Sequence, residues 1–355
     1  PCSFYLKTMP KTLKLEIIDP TKYQDWDNMI SEHEDATIFH TTAWAKTICE
    51  SYNYKPIYFT QRNGNRLPVL IPIMEVNSIL TGKRGVSLPF TDYCEPIVDA
   101  SIPSQKVFDY IITYGKKKAW EYIELRGAKN FLPDVTPSTQ FFSHILDLTQ
   151  EEQIFSGFRN STKRNIKKAN KENVKVDFFN SPESIKEYYR LHCVTRKRQG
   201  VPPQPFYFFR KIHDHIISGN LGFVALGSYL DKNIAGAVFF HYGNKVFFKF
   251  GASDTKYQHV RANNLVMWEA IKWSCRNGYK SFCFGRTDLA NNGLRQFKSG
   301  WGAQEHIINY YKYDLQKDTF VQDNQNIKRS YTKIMTKIPI PALKTIGTLL
   351  YRHMG

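Results

Sequence analysis

Helical and strand patterns of apolar residues run through the first half of the chain in a clear order. Residues 22–32 and 42–51 carry helical patterns, and two apolar runs on either side of the turn "QRNGN" predict a β-hairpin. A third helix is predicted over residues 104–118, and the run "EYIEL" predicts a strand after it. This half therefore predicts helices, a hairpin, a helix and a final strand.

The second half repeats this order. Residues 150–172 and 181–218 have helical patterns, and three apolar strands separated by the turns "DKN" and "YGN" follow them. A helix is predicted over residues 262–277, and the strand "SFCFG" comes after it. Corresponding elements lie roughly 160 residues apart, which indicates two related units.

The repeat predicts an α/β fold of two tandem domains with mixed, partly antiparallel sheets, because hairpins exclude an all-parallel sheet. A length of 355 residues also exceeds the limit of roughly 250 to 300 for one core. The predicted divisions are 1–150 for the first domain, 151–330 for the second, and 331–355 for a C-terminal amphipathic tail. Trp26 and Trp44 are predicted core anchors, and Thr41 or Thr42 is a predicted helix cap.

The last 18 residues of the predicted tail read "IPIPALKTIGTLLYRHMG". Its helical pattern suggests two alternatives: contact with the inner membrane face, or packing against its own domain. The residues of its apolar face are Ile338, Ile340, Leu343, Ile346, Leu349 and Leu350.

A formal charge of +17, from 49 basic and 32 acidic residues, favours a polyanionic partner such as nucleic acid, a nucleotide-linked substrate or an anionic membrane. The six cysteines form no CxxC pair, so neither a zinc site nor a disulfide framework is predicted. The N-terminus has no apolar signal core, and no apolar run approaches the roughly 18 residues of a membrane span. A cytoplasmic protein is expected, with Met9 as its natural start.

A basic stripe is predicted at the start of the second domain, in "FRNSTKRNIKKANKENVKV". Its charges recur every three or four residues, at Arg164, Lys167, Lys168, Lys171 and Lys175. Repulsion within such a stripe favours binding of an anion, and the alternative is a solvated connecting helix.

A second basic cluster, Arg196, Lys197 and Arg198, precedes the loop "QGVPPQPFYFF". Arginine can hold a phosphate through two donors, and Tyr207 or Phe208 could stack on a base. The alternative is a charged helix end that interacts favourably with the helix dipole.

Two single residues stand out as candidates for chemistry. In "SLPFTDYCEP" the carboxylate of Asp92 could orient an amine nucleophile or accept its proton, although an aspartate in a turn also serves local hydrogen bonding. In "GLRQFKSGWGA" the ammonium of Lys298 could face a developing oxyanion or a phosphate. The alternative is a helix-terminal lysine before the stop signal Gly300.

Several familiar chemistries are excluded by their missing patterns. The sequence contains no nucleophile elbow, Walker motif, HExxH pair or Gly-rich dinucleotide fingerprint. No histidines and carboxylates have the spacing of metal ligands, so no metal site is predicted.

Five stretches follow one another along the chain: "DWDNMISEHEDATIFHTTAW", "GVSLPFTDYCEP", the basic stripe, "NNLVMWEAIKWSCRNGYKSFCFGR" and "GLRQFKSGWGA". As an ordered set they resemble the FemAB-like branch of the GNAT superfamily, including its BioF2-like acetyltransferases. The resemblance covers most of the chain. It implies two tandem GNAT-like domains and transfer of an activated acyl group to an amine on a cell-envelope precursor, of peptidoglycan or exopolysaccharide. The runner-up is a non-catalytic RNA-binding protein that uses the basic helix.

The resemblance also implies roles for particular residues. The family's Phe-Lys pair matches Phe297 and Lys298 and would serve the reaction centre, and Asp92 matches an aspartate near the acceptor. Arg196, Arg198, Arg261, Gln258, Arg164 and Lys168 are the expected substrate- or donor-binding residues.

The donor expected from the resemblance is acyl-CoA or aminoacyl-tRNA, with no permanently bound cofactor. The acceptor would be nucleotide- or lipid-linked. Ordinary GNAT enzymes hold the coenzyme A pyrophosphate on a glycine-rich turn, and here that stretch keeps Gln258 but carries Arg261 and Asn263 in place of glycines. Either Arg261 contacts the donor through its side chain or coenzyme A is not the donor.

Overall fold

The computed structural model describes residues 14–322 and 332–355, so the predicted start at Met9 lies outside it. Its strands in chain order are β1 Glu16–Ile18, β2 Lys55–Asn63, β3 Arg66–Ser78, β4 Gly82–Val86, β5 Ile97–Val98, β6 Tyr122–Arg126, β7 Thr139–Asp147, β8 Lys175–Phe179, β9 Gly222–Tyr229, β10 Lys232–Tyr242, β11 Lys245–Ser253, β12 Ser281–Asp288, β13 Gln304–Asp314 and β14 Thr319–Phe320. Its α-helices are α1 Trp26–Ser31, α2 Thr42–Tyr52, α3 Ser104–Lys117, α4 Glu151–Gly157, α5 Asn160–Lys171, α6 Pro182–Arg198, α7 Phe206–Ile212, α8 Ala262–Arg276, α9 Asn292–Ser299, α10 Thr332–Met335 and α11 Ile340–Leu350.

The strands form one mixed sheet whose order is symmetric about its centre. The order is β1-β2-β3-β4-β6-β13-β7-β12-β11-β10-β9-β8, with β5 beside β3 and β14 beside β13. The pairs β4/β6 and β11/β12 are parallel and occupy equivalent places in the two halves. The predicted α/β fold with two related halves and mixed, partly antiparallel pairing is confirmed.

The two central strands join the halves. Strand β7 comes from the first half of the sequence but pairs with β12, and β13 comes from the second half but pairs with β6. They also pair with each other. The predicted division near residue 150 therefore separates two halves that exchange a strand, and hydrogen bonds run continuously across the junction.

Local sequence signals explain the first helices. The hydroxyl of Thr41 accepts a hydrogen bond from the backbone N–H of Trp44 at 3.2 Å and caps α2, as predicted. Trp26 and Trp44 are fully buried, which confirms them as core anchors. Helix α1 is shorter than predicted, because Pro20–Lys22 forms a separate 3-10 turn before it.

The second half of the sheet carries a core on each face. On one face, Val246 and Phe282 pack in the same cluster as α5 and α8 residues such as Ile166 and Leu265. On the other, Phe247 and Cys283 pack in a cluster that includes Trp44 of α2 and Phe208 of α7. Neighbouring residues of β11 and β12 thus face opposite sides of the sheet.

The C-terminal segment is held against the first half. The buried guanidinium of Arg84 donates hydrogen bonds to the carbonyl oxygens of His353, at 2.8 Å, and Gly355. In α11 Leu343 is buried, whereas Leu349 and Leu350 are exposed. The predicted apolar face of the tail is therefore only partly covered by the protein.

Candidate functional site

The parallel strands β11 and β12 separate within the sheet. They pair over residues 245–247 and 281–283, and no pairing continues beyond Phe247 and Cys283 although both strands extend further. The register of β12 against β7 also shifts between Cys283 and Arg286. A bulge of this kind redirects side chains beside the point where the two strands diverge.

Asp92 and Lys298 meet at Gly285, just past this point. The ammonium of Lys298 donates hydrogen bonds to the carbonyl oxygens of Gly285, at 2.7 Å, and Arg286, at 2.9 Å. A Cβ atom on Gly285 would lie 2.9 Å from Oδ2 of Asp92, and the φ of Gly285 is +71°. Glycine is therefore needed here both for its backbone conformation and for the approach of the carboxylate.

Lys298 is buried, with only 2% of its surface exposed. Burial lowers its pKa to about 8, although the negative charge of Asp92 opposes this shift. At neutral pH it is mostly charged, and two of its three N–H donors are taken by backbone carbonyls. Its positive charge thus lies against the carbonyl oxygen of Gly285, the residue that the carboxylate of Asp92 approaches.

Lys249 is a further residue of this site that the sequence reading missed. Its ammonium lies 3.7 Å from Oδ2 of Asp92, and its side chain is only 4% exposed. The ammonium also lies 5.3 Å, 5.4 Å and 5.9 Å from the ring centres of Phe39, Phe250 and Trp44. Burial lowers the pKa of Lys249, and the charge of Asp92 raises it again.

A bulge places Lys249 in the site. The register between β10 and β11 shifts between Val238 and Phe239, which leaves Lys249 without a cross-strand partner. The signal in the sequence is a lone lysine inside the aromatic strand "KVFFKFG". A lysine surrounded by aromatic strand residues indicates a buried charge that needs a partner.

Tyr310 and Arg286 hold the loop that carries Asp92. The hydroxyl of Tyr310 donates a hydrogen bond to the backbone oxygen of Asp92, and Arg286 donates to that hydroxyl at 2.8 Å. The guanidinium of Arg286 lies 4.2 Å from the ring centre of Phe141. Because Tyr310 is on β13 and Phe141 on β7, the exchanged strands fix the position of the candidate carboxylate.

A cleft opens at the N-terminus of α8, with a volume of about 280 Å³. Four of the expected site residues line it: Arg198, Gln258, Arg261 and Phe297. No side chain caps this end of α8; the backbone N–H of Asn264 donates to the carbonyl oxygen of Arg261 at 2.9 Å, so the two N–H groups before it are the ones that suit an anion. Arg261 has a φ of +61°, the left-handed conformation that glycine favours, so the turn keeps this geometry without a glycine.

The remaining expected residues lie elsewhere. Arg164 and Lys168 are exposed on α5, which reaches the cleft through Asn165. Helix α5 ends at Lys171, and Lys175 belongs to β8, so the predicted helical stripe is one residue shorter. Arg196 donates a hydrogen bond to the hydroxyl of Tyr351 at 2.7 Å and does not line the cleft.

A second cavity of about 270 Å³ lies on the opposite face of the sheet, between the halves. Its lining includes Tyr93 and Glu95 from the first half and Lys245, Phe247 and Cys283 from the second. Phe247 and Cys283 belong to the same core face as the rings around Lys249, whereas the lining of the first cleft belongs to the other face. The second cavity thus lies where the pairing of β11 and β12 ends, and the first cleft lies on the other face, at the far end of β11.

Within residues 14–322 and 332–355, no group of three or more His, Cys, Asp or Glu side chains is placed to hold a metal ion. In the same part of the chain, each helix is too short or too polar to cross a bilayer.

Comparison with known proteins finds similarities both in sequence and in fold. The model of the acetyltransferase (GNAT) domain matches residues 156–306. The Lipid II:glycine glycyltransferase of Staphylococcus haemolyticus (strain JCSC1435) is 30% identical over 114 residues, which cover 30% of this chain and 26% of that protein. The matched part thus spans about a quarter of that relative.

Two solved structures share the fold. FemX superimposes with a TM-score of 0.66 at 13% identity, over 84% of this chain and 97% of FemX. The tandem GNAT protein from the clavulanic acid biosynthesis pathway gives a TM-score of 0.53 at 7% identity, over 85% of this chain and 99% of that one. The family-model match indicates an acetyltransferase (GNAT) domain over residues 156–306, and the fold of the chain is similar to those of FemX and the tandem GNAT protein.

Proposed function

We propose that the protein transfers an activated acyl or aminoacyl group to an amine on a cell-envelope precursor. The observation that carries the proposal is the meeting of Asp92 and Lys298 at Gly285, where β11 and β12 separate. These side chains come from different halves of the chain, and each is a candidate both from its local sequence and from the family resemblance. Their convergence gives a carboxylate and a buried positive charge at one point.

The chemistry follows from this arrangement. The nitrogen of the acceptor attacks the carbonyl carbon of the donor ester or thioester, and the C–N bond forms as the carbonyl oxygen becomes an oxyanion. Asp92 orients the amine and accepts its proton, while the charges of Lys298 and Lys249 stabilise the negative charge that develops nearby. Collapse of the intermediate breaks the bond to the leaving group, which departs as a thiol or a hydroxyl after protonation.

The two cavities suit two substrates that approach from opposite faces. The cleft at α8 offers free backbone N–H groups, Arg198 and Arg261, which suit the phosphates of a donor. The second cavity lies on the face of Lys249 and is lined by Tyr93, next to Asp92 in the chain, so it suits the acceptor. Phe297 lines the cleft and precedes Lys298 in the chain, which supports donor binding next to the proposed reaction centre.

The structure and the comparisons support particular chemical classes for the donor and the acceptor. A coenzyme A thioester needs only the cleft, whereas an aminoacyl-tRNA would also contact the exposed Arg164 and Lys168 on α5. The similarity to a Lipid II:glycine glycyltransferase supports a nucleotide- or lipid-linked peptidoglycan precursor as acceptor, and an exopolysaccharide precursor is the second choice. Such substrates place the protein in the cytoplasm or on the inner membrane face.

The test is single-turnover transfer with radiolabelled acyl-CoA and, separately, aminoacyl-tRNA, against soluble and lipid-linked amine acceptors. We expect one donor to acylate an amine, and Asp92→Asn to slow transfer by about 100-fold or more. Leu230→Ser, at an exposed turn, is the matched control and should leave the rate unchanged.

A different outcome would identify a different function. Retention of RNA with no acyl transfer from either donor would replace the enzyme with an RNA-binding protein that uses the exposed basic face of α5. Transfer that survives Asp92→Asn unchanged would move the reaction centre away from Gly285.

A further inference from the structure

Five exposed aliphatic side chains surround the turn between β3 and β4 and the adjoining end of the chain. We call them the terminal patch, and their exposed fractions range from 36% to 88%. They are Ile79, Leu80, Leu349, Leu350 and Met354. Isolated exposed leucines are ordinary, but a group of large exposed aliphatic residues indicates a contact surface.

Hydrogen bonds fix the two parts of the terminal patch together. Oγ of Ser78 lies 2.9 Å from Nδ1 of His353, and the hydroxyl of Thr81 donates to the carbonyl oxygen of His353 at 2.8 Å. Ile79 and Leu80 lie between these two anchors, and Met354 follows His353 directly. The protein thus holds these apolar side chains in place while leaving them uncovered.

The patch on α11 follows from helix geometry. Leu343 and Gly347 are buried four residues apart and form the packed face, whereas Leu349 lies on the far side of the helix. Ile346, half-buried, lies between Leu349 and Leu350 around the helix axis. The helix therefore has an apolar flank that its own domain does not cover.

The surroundings of the patch are basic. Arg352 is exposed between Leu350 and Met354 in the chain, and Lys333 and Lys337 are exposed in the segment before α11, on either side of another exposed aliphatic residue, Ile334. Exposed aliphatic groups bordered by cations match the boundary between acyl chains and anionic headgroups of a bilayer. The net charge of +17 adds long-range attraction to the same surface.

We propose that the terminal patch docks the protein on an anionic membrane, with the β3–β4 turn and the exposed flank of α11 inserted at the headgroup boundary. Strand β4 begins at Gly82, directly after the turn, and leads into the loop that carries Asp92. Docking at the turn would therefore anchor one end of the segment that supplies the candidate carboxylate. The proposal concerns the surface alone and holds whether or not the proposed transfer is correct.

The test is co-sedimentation of the full chain with phosphatidylglycerol-containing vesicles and with pure phosphatidylcholine vesicles, at low and high salt. We expect binding to the anionic vesicles that weakens with salt. The double variant Ile79→Ser with Leu80→Ser, and separately Leu349→Ser, should each weaken binding by about tenfold or more, since each removes aliphatic surface from the inserted region.

Leu230→Ser is the matched control, because Leu230 is 74% exposed at a turn in the other half of the sheet. It should bind vesicles like the unaltered protein, and all variants should transfer to a soluble amine equally well. Equal vesicle binding by all variants, or no binding by the unaltered protein, would overturn the proposal. So would sedimentation data in which the patch variants only convert a dimer to a monomer, because a second copy would then be the occupant.

Discussion

Lys249 and Asp92 form an ion pair, with 3.7 Å between Nζ and Oδ2, between a bulged strand of the second half and a loop of the first. The lysine is almost completely buried under aromatic rings, whereas the carboxylate keeps 24% of its side chain exposed. A buried charge requires a partner, so Asp92 stabilises Lys249 as much as Lys249 positions Asp92. The pair ties the candidate carboxylate to the sheet.

The pair should act as a unit in catalysis. Lys249→Met keeps an unbranched stem among the rings but leaves Asp92 without its partner, and we expect transfer to slow by about 10- to 100-fold, with a loss of about 1 to 3 kcal/mol in stability. Asp92→Asn should slow it at least as much. In a double-mutant cycle of single-turnover rates the two losses should be strongly non-additive.

Lys272→Met provides the control. Lys272 also lies near an aromatic ring, 5.8 Å from the ring centre of Trp268, and pairs with Glu269 at 2.8 Å, but it is on α8 away from Gly285. The single-turnover rate of transfer should be the same for this variant as for the unaltered protein. Strictly additive effects of Lys249→Met and Asp92→Asn would show that the pair has no joint role.

Gly285→Ala should separate backbone strain from the position of Asp92. The new Cβ meets Oδ2 of Asp92 at 2.9 Å, and the φ of +71° adds about 1 to 3 kcal/mol of strain. Because a displacement of about 1 Å at a reacting group can cost about 100-fold in rate, we expect a large loss of transfer. Melting curves and single-turnover rates measure the two effects separately.

Gly278→Ala is matched to this variant. Gly278 has a φ of +78° and no atom within 4 Å of the Cβ position, so it carries similar strain without touching Asp92. It should lower the melting temperature comparably and leave the rate unchanged. If both variants lost activity equally, strain alone would account for the effect at Gly285.

Arg261→Gly should weaken donor binding without unfolding the protein. Glycine removes the left-handed strain of Arg261, and this gain offsets the greater freedom of glycine in the unfolded chain, so stability should change little. Loss of charge-assisted hydrogen bonds should raise the Kd for the donor by about 10- to 100-fold. Titration calorimetry with coenzyme A and with tRNA measures the Kd for each donor.

Arg164→Ala distinguishes the two donors in the same experiment. Arg164 is exposed on α5 outside the cleft, so its loss should weaken tRNA binding and leave coenzyme A binding unchanged. Unchanged affinity of Arg261→Gly for both donors would exclude its side chain from the donor site.

Short sequence patterns predicted the features of this structure that depend on residues close together in the chain. The cap at Thr41, the hairpin at Gly64 and the buried Trp26 and Trp44 each follow from a short stretch of sequence. Asp92 and Lys298 were candidates partly from local sequence, a proline-bounded turn and a lysine before glycine, and partly from the family resemblance. Their meeting at Gly285 depends on the tertiary fold, and neither stretch contains that information.

The features that were not predicted from the sequence depend on pairing between strands far apart in the chain. Strands β7 and β13 pair across the two halves, so no neighbouring segment indicates their partners. Lys249 enters the site through a bulge, whose extra residue breaks the alternation by which inward positions are recognised. The left-handed backbone of Arg261 is likewise imposed by the turn before α8, against the preference of arginine.

The charge of Lys298 can be tested by pH, which removes the charge without removing its hydrogen bonds. Substitution cannot do this, because Lys298→Met also deprives the carbonyls of Gly285 and Arg286 of their donor, at a cost of about 1 to 3 kcal/mol. A neutral amine keeps two N–H groups, enough for both carbonyls. Raising the pH through the pKa of about 8 therefore changes only the charge.

Two effects of opposite sign should follow between pH 8 and 10.5. In this window Lys298 binds more protons in the unfolded chain, where it has the ordinary lysine pKa of 10.5, than in the folded protein. The stability of the unaltered protein relative to Lys298→Met should therefore rise with pH, by up to about 3 kcal/mol. If the charge serves the reaction, the single-turnover rate of the unaltered protein divided by that of Lys298→Met should fall over the same window. Deprotonation of the acceptor amine affects both rates equally and cancels in this ratio. A rate ratio that stays constant through pH 8 while the stability difference rises would leave Lys298 as a residue that only holds β12.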